Sequence, residues 1–183
     1  MTCGAAFKFD AQTENAIRGL WQAINDAGLP SELLKLKYPP HLSLMLCEDI
    51  NMDGVRRVLP DYIAHYPPFP LAFPALGVFP GEVGVIYLAP YVSRELLDFH
   101  AGLWELLERF TTLPSPLYRP GVWVPHVTLD LDVSREQTGV IVEMLSHLDS
   151  LPRVGLANAL FVADFPGDDT GVHELFVSEM GNC

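Results

Sequence analysis

The sequence predicts an α+β protein of two pseudo-symmetric lobes around a central cleft, each lobe a mostly antiparallel sheet with outer helices. Two observations predict this fold. Segments of helical and of strand periodicity alternate along the chain. Short sequence motifs of two to five residues, called words below, also recur in the same order at offsets of about 83 to 87 residues, as expected of an internal duplication. The 183 residues therefore suit one bilobal domain over 1–183, with a pseudo-repeat of about 5–90 and 91–180.

Four pairs of words carry the repeat. In chain order they are Gly-Leu-Trp at 19 and 102, Pro-His-Leu-Ser-Leu at 40 with Pro-His-Val-Thr-Leu at 125, Phe-Pro-Gly-Glu at 79 with Phe-Pro-Gly-Asp at 165, and Gly-Val at 84 and 171. Together they indicate a duplicated helix–strand–helix–strand–strand unit. The two Phe-Pro-Gly words are typical of hairpin turns, and we assign them no chemistry.

The first half begins with an alternating strand, followed by a helix whose apolar residues recur at helical spacing until Gly28. Tyr38-Pro-Pro then predicts an extended approach to the next strand. Pro60 should end or kink the second helix. The predicted elements are a strand at 5–10, a helix at 13–27, a strand at 41–46, a helix at 52–64, and strands at 69–79 and 83–88.

The second half follows the same order. Its first helix carries apolar residues on one side, a proline-rich stretch predicts a loop, and Ser134 with Gln137 forms a capping box. The predicted elements are a helix at 93–109, a loop at 113–121, a strand at 124–131, a helix from 134 to about 148, and strands at 154–165 and 173–178. Trp21, Trp104 and His100 lie on apolar helix faces and are expected in the core.

The formal net charge of −12 indicates a surface that repels long polyanions, which argues against a protein that grips duplex DNA or long RNA. Cys3, Cys47 and Cys183 are odd in number and lack CxxC spacing, so neither a disulfide framework nor a zinc site is expected. The N-terminus has no basic stretch followed by an apolar run, and no segment approaches the ~18 apolar residues of a membrane span. We expect a cytoplasmic monomer without membrane contact.

The paired motif carries the chemistry. Residues i and i+2 of a strand share a face, so His41 projects with Ser43, and His126 with Thr128. If the lobes face each other, two imidazoles and two hydroxyls meet in one cleft. One neutral imidazole can then accept a proton while the other, as imidazolium, donates one, and the hydroxyls can bind phosphate oxygens. Such a set suits phosphodiester cleavage without a metal or cofactor, and the sequence leaves open which histidine is the acid.

Pro-His-Leu-Ser-Leu and Pro-His-Val-Thr-Leu resemble the paired signatures of the 2H phosphoesterase superfamily, which includes 2′-5′ RNA ligase-like proteins and cyclic nucleotide phosphodiesterases. The resemblance implies a bilobal fold, a catalytic pair His41 and His126, and phosphate ligands Ser43 and Thr128. Many members of the ligase branch have an arginine soon after the second motif, where this chain continues Asp130-Leu131-Asp132. The implied reaction is therefore hydrolysis of a 2′,3′-cyclic or 2′-linked phosphodiester of a small nucleotide or oligonucleotide end.

Two other functions remain open: a nucleotide-binding module without catalysis and, less favoured, RNA 2′-5′ ligation. Four further residues near the motifs are candidates for substrate binding, with a solvated loop or core packing as their alternatives: Lys37, Tyr38, Arg119 and Trp123. The two cations could contact phosphate, and the tryptophan could stack a base.

Overall fold

A computed structural model of the protein describes residues 2–29, 31–167 and 170–181. Asp168 and Cys183, on which two sequence expectations partly rest, lie outside them. The helices of this part are α1 (Ala11–Asp26), α2 (Glu32–Leu36), α3 (Met52–Ala64), α4 (Arg94–Leu107) and α5 (Arg135–Ser146). The strands are β1 (Thr2–Phe9), β2 (His41–Cys47), β3 (Asp49–Ile50), β4 (Phe69–Ala72), β5 (Ala75–Phe79), β6 (Gly84–Ala89), β7 (Thr111–Thr112), β8 (Val127–Val133), β9 (Val154–Phe165) and β10 (His173–Glu179). Short 3-10 turns occupy Glu108–Phe110 and Pro116–Tyr118.

The helices begin at residues that can cap them. The Asp10 carboxylate accepts the backbone N–H of Thr13 at 2.9 Å, and this satisfies one of the free donors at the start of α1. The predicted capping box of Ser134 and Gln137 is confirmed at the start of α5.

Helix α3 runs through Pro60 to Ala64, so Pro60 does not end it. Proline removes one backbone hydrogen bond, but Val55, Leu59 and Ile63 are fully buried on the inner face of the helix. The burial of this face outweighs the lost hydrogen bond.

The strands form antiparallel sheets. One has the order β10-β9-β1-β2, with β4 paired to β9, and a second has the order β5-β6-β8. The strand predicted at 69–79 is in fact two strands, since β4 joins the first sheet and β5 the second. The chain crosses between the sheets at Phe73, which is fully buried, and Pro74, which has no N–H for a ladder.

The duplication appears in the topology as a five-element unit. The first copy is β1-α1-β2-α3-β5 and the second is β6-α4-β8-α5-β9. In the first sheet the motif strand β2 pairs with β1, and β1 pairs with β9, the last strand of the second copy. In the second sheet the motif strand β8 pairs with β6, and β6 pairs with β5, the last strand of the first copy. The sequence halves 5–90 and 91–180 are therefore not the two lobes, because each sheet takes a strand from both copies.

The two sheets share one continuous apolar core. The cluster includes Phe7 and Leu42 of the first sheet with Ile86 and Leu129 of the second. Trp21 and Trp104 are buried in it, as predicted. No helix in the described part of the chain is long and apolar enough to span a bilayer.

Candidate active site

His41 is the first residue of β2, where the preceding prolines end the extended approach. Its Nδ1 lies 2.7 Å from the carbonyl oxygen of Pro39. A carbonyl can only accept, so Nδ1 carries the proton and Nε2 is left without it. The rings of Phe161 and Phe165 flank the imidazole, with centroids 6.1 and 5.4 Å away.

His126 immediately precedes β8 and is held in the same way. Its Nδ1 lies 2.8 Å from the carbonyl oxygen of Val124, again two residues earlier. The rings of Phe79 and Tyr87 approach its imidazole edge-on at 5.0 and 5.5 Å. The two histidines therefore share one tautomer, and each keeps Nε2 for another partner.

Burial lowers the pKa of both histidines below the usual 6.5, because a partly desolvated imidazole resists protonation. A positive charge on His126 lowers the pKa of His41 further, although the hydrogen bond to Pro39 opposes the shift. The segments that carry the two motifs are in direct contact, because the indole of Trp123, three residues before His126, donates to the carbonyl of Ser43 at 3.1 Å. In the free protein at neutral pH, both rings are predominantly uncharged.

The hydroxyl of each motif follows its histidine by two residues, and tryptophan side chains hold the backbone beside each hydroxyl. The indole N–H of Trp123 donates to the carbonyl of Ser43 at 3.1 Å. The indole N–H of Trp21 donates to the carbonyl of Thr128 at 3.2 Å. The neighbours of these hydroxyls on the opposite strand face are buried, as predicted: Leu42, Leu44, Val127 and Leu129.

The recurring Phe-Pro-Gly words have a structural role that sequence analysis missed. Phe79 ends β5 and contacts His126, while Phe165 ends β9 and contacts His41. Because the last strand of each copy lies in the other copy's sheet, each half supplies a phenyl ring to the other half's histidine. The signal was the nearly equal spacing of this word from the histidine, 38 residues in the first half and 39 in the second.

The four weaker candidates lie in different surroundings. Lys37 is exposed and has a left-handed backbone with φ of 55°. Arg119 is exposed, and its carbonyl accepts the N–H groups of Val122 and Trp123 in a turn. Neither cation is among the residues that line the cleft at His126.

The two aromatic candidates are largely buried. Tyr38 packs near His41, and its hydroxyl oxygen accepts the N–H of Gly167 at 2.9 Å. Trp123 stacks on His100 with ring centroids 3.9 Å apart, and it also lines the cleft. His100 is buried, as expected, and lies 3.0 Å from the carbonyl of Leu44 through Nε2.

Two residues near the motifs were not predicted as site residues. Tyr118 lines the cleft together with His126 and Thr128, and its hydroxyl lies near the side chain of Ser43. Burial raises the pKa of Tyr118, so the phenol keeps its proton. Lys8 pairs with His41 across β1 and β2, and its Nζ lies 2.7 Å from the Glu174 carboxylate. Neither residue belongs to a repeated word, so the repeat gave no signal for them.

The acidic pair after the second motif does not enter the cleft as alternation would suggest. A register shift between β6 and β8 follows Thr128, and it changes which side chains face the cleft. Leu131 lines the cleft, whereas the Asp130 carboxylate is buried and accepts the N–H of Glu32 at 3.2 Å. Burial raises the pKa of Asp130 to about 6.

A cleft of about 500 Å³ opens beside His126 and Thr128. Most of its other lining side chains are apolar: Phe79, Val85, Leu117, Val122, Trp123, Val124 and Leu131. Within the described ranges, no group of three or more His, Cys, Asp or Glu side chains could hold a metal ion.

Two matched motifs, each a histidine followed two residues later by a hydroxyl, at strands β2 and β8 of a duplicated α+β fold are features of the 2H phosphoesterase class. The chain belongs to the 2′-5′ RNA ligase superfamily, whose family model matches residues 10–168. No curated protein matches the sequence significantly.

Solved structures share the fold over nearly the whole chain. One described as a phosphoesterase is 18% identical, covers 98% of both chains and has a TM-score of 0.58. LigT from E. coli, solved with 3′-AMP, is 16% identical over 98% of both chains, with a TM-score of 0.57. Usb1 from Kluyveromyces marxianus is 14% identical over 95% of this chain and 97% of its own, with a TM-score of 0.50.

Proposed function

We propose that the protein is a metal-independent phosphodiesterase that hydrolyses a 2′,3′-cyclic or 2′-linked phosphodiester of a small nucleotide or oligonucleotide end. The observation that carries the proposal is the matched state of His41 and His126. Each imidazole is fixed through Nδ1 and keeps Nε2 for another partner, and the Trp123 indole joins the loop before His126 to the strand of His41 by donating to the Ser43 carbonyl. This is the arrangement that acid–base catalysis by two histidines requires.

The reaction needs one proton taken and one proton given. Nε2 of the neutral histidine accepts a proton from water as the water oxygen bonds to phosphorus. The other histidine, protonated at Nε2, donates its proton to the ester oxygen as the P–O bond breaks. The proton balance is closed, and the resting charges return once the two histidines exchange a proton with solvent.

Substrate binding favours the uptake of one proton from solvent by a histidine. Both histidines are predominantly uncharged in the free protein, because burial lowers their pKa. A phosphodiester anion placed between them favours a positive charge on one ring, and so raises the pKa of that ring. The active complex therefore contains one imidazole and one imidazolium.

The hydroxyls and the charge of the protein support a small anionic substrate. Ser43 and Thr128 can donate hydrogen bonds to the non-bridging oxygens, where charge shifts in the transition state. The net charge of −12 disfavours a long polyanion. LigT from E. coli has been solved with 3′-AMP, ATP and NADP+, which are small nucleotides.

The experiment is hydrolysis of adenosine 2′,3′-cyclic phosphate in the presence of EDTA, followed by ³¹P NMR. We expect turnover to a single phosphomonoester, since one P–O bond is always the one aligned with the leaving position. The matched control is the His126→Ala variant, prepared and assayed in parallel. Saturable AMP binding with no turnover of cyclic or 2′,5′-linked substrates would support a binding module and contradict the proposal.

A further inference from the structure

The surroundings of the two motifs differ, and the difference concerns the cleft beside His126. Two of the four candidate catalytic and phosphate-binding residues, His126 and Thr128, form part of the wall of this cleft. Within the described residues, no lysine or arginine lines it. A second phosphate placed there would have no cation to pair with, in a protein whose net charge is already −12.

The rim of the cleft exposes aliphatic side chains to water. Leu117 is 70% exposed, Val122 is 57% exposed and Val124 is 47% exposed. All three belong to the loop that leads to the second motif, and all three line the same cleft. A contiguous exposed apolar rim beside a polar reaction site is typical of a ligand-binding surface.

The inner wall of the cleft is apolar as well, and two features of the sheet bring apolar side chains to it. The register shift after Thr128 turns Leu131 into the cleft, and it leaves the charged Asp130 buried against α2. Phe79 reaches the cleft because β5 lies in the sheet of the second motif. The apolar character of the wall therefore depends on strand pairing and not only on the loop before His126.

We propose that this cleft is a subsite for an uncharged, hydrophobic substituent of the phosphodiester, such as a nucleobase or an alkyl group. The proposal rests on the proposed function and narrows its substrate class to diesters whose organic part carries no further phosphate on this side. A volume of about 500 Å³ lies within the range of small-ligand pockets.

The subsite also orients the reaction. In a cyclic phosphate the leaving oxygen stays attached to the organic part, so the leaving oxygen lies on the side of the subsite. Water attacks from the opposite side of phosphorus in an in-line displacement. His126 is then the general acid, and His41 is the general base that activates water.

The test compares three five-membered cyclic phosphates that share one reactive group: those of adenosine, of 1,2-hexanediol and of glycerol. The adenosine and hexanediol esters distinguish a nucleobase from an alkyl group, and the glycerol ester lacks both. Burial of about 100 Å² of apolar surface favours binding by roughly 50-fold. We therefore expect kcat/KM to exceed that of the glycerol ester by at least ~10-fold for one of the two larger substrates.

The variant is Val122→Asp, which places a charge at the exposed rim and should remove most of the preference. Its matched control is Val140→Asp, the same change at a 55% exposed valine of α5 outside the cleft. The ratio of two kcat/KM values on one preparation does not depend on the folded fraction. Equal kcat/KM for all three esters, or a preference that Val122→Asp leaves intact, would overturn the subsite. Failure to cleave any of the three, together with no turnover of a 2′,5′-linked dinucleotide, would instead remove the proposed function.

Discussion

The environments of His41 and His126 differ although the two motifs are nearly identical. Both imidazoles donate Nδ1–H to a carbonyl two residues earlier, and both contact the phenylalanine of a Phe-Pro-Gly word. Around His41, however, lie a buried Tyr38 and the cross-strand Lys8 with its Glu174 partner. Around His126 lies an open apolar cleft.

The difference separates what the duplication preserved from what it did not. The preserved part is the backbone-fixed imidazole and hydroxyl, which the proposed reaction uses for proton transfer and phosphate binding. The divergent part lies in segments outside the repeated words, where one copy acquired a polar neighbourhood and the other an apolar one. In the proposed reaction the two copies share the chemistry, while the orientation of the substrate depends on the differences between them.

The largest expected effect separates the roles of the two histidines. We predict that His41→Ala and His126→Ala each lower kcat/KM for adenosine 2′,3′-cyclic phosphate by ~10²- to 10⁴-fold. On bis(p-nitrophenyl) phosphate, whose leaving group needs no proton, His126→Ala should lose far less than His41→Ala. Steady-state kinetics of both variants on both substrates checks this. The reverse pattern would assign the acid to His41.

The hydroxyls should also differ. Thr128→Val keeps the side-chain shape and removes one donor, so we expect kcat to fall by ~10²-fold. Ser43→Ala should lower kcat less, because the nearby Tyr118 hydroxyl can donate to the phosphate in place of Ser43. Circular dichroism of both variants controls for folding, and a larger loss for Ser43→Ala would contradict the comparison.

The pH dependence reports the charge of both histidines in the free protein. The active form needs one neutral and one protonated ring, and burial lowers the pKa of both below 6.5. The protonated fraction therefore falls as pH rises through the acid's pKa. We predict that kcat/KM decreases ~10-fold per pH unit above about 6.5, while the alkaline limb of kcat lies at higher pH. A kcat/KM that stays constant up to pH 8 or beyond would contradict the lowered pKa values.

The smallest effect is expected for Tyr118. Tyr118→Phe leaves Ser43 in place, so we predict a loss in kcat of only ~3-fold, on the scale of one weak neutral hydrogen bond. Combined with Ser43→Ala, the same change should lower kcat about as much as Thr128→Val. If the double variant only reproduces Ser43→Ala, Tyr118 makes no contact with the phosphate.

Sequence periodicity predicted the long helices and strands because their apolar residues face the core at regular spacing. The capping box at Ser134 and the core positions of Trp21 and Trp104 followed from local rules. The continuation of α3 through Pro60 did not follow from local rules, because burial of its apolar face overrode the tendency of proline to end a helix. The split of 69–79 between two sheets is a long-range pairing choice, which local patterns do not encode.

The four candidate site residues, His41, Ser43, His126 and Thr128, could be proposed from the sequence because the repeat marks the motif twice. The shape of the cleft beside His126 could not be predicted. The role of Leu131 depends on a register shift, and that of Phe79 on a strand exchange between the copies. Tyr118 reaches Ser43 only through the fold of a proline-rich loop, 75 positions away along the chain and outside every repeated word.

The most direct test of the central claim is a double-mutant cycle on His41 and His126. The rates of hydrolysis of adenosine 2′,3′-cyclic phosphate in EDTA would be measured for His41→Ala, His126→Ala and the double variant. We predict that the rate of the double variant is only slightly below that of the less active single variant, because the effects of two groups that act in one step are not additive. Losses that multiply, or a double variant with full activity, would show that the two imidazoles do not act on the same phosphorus.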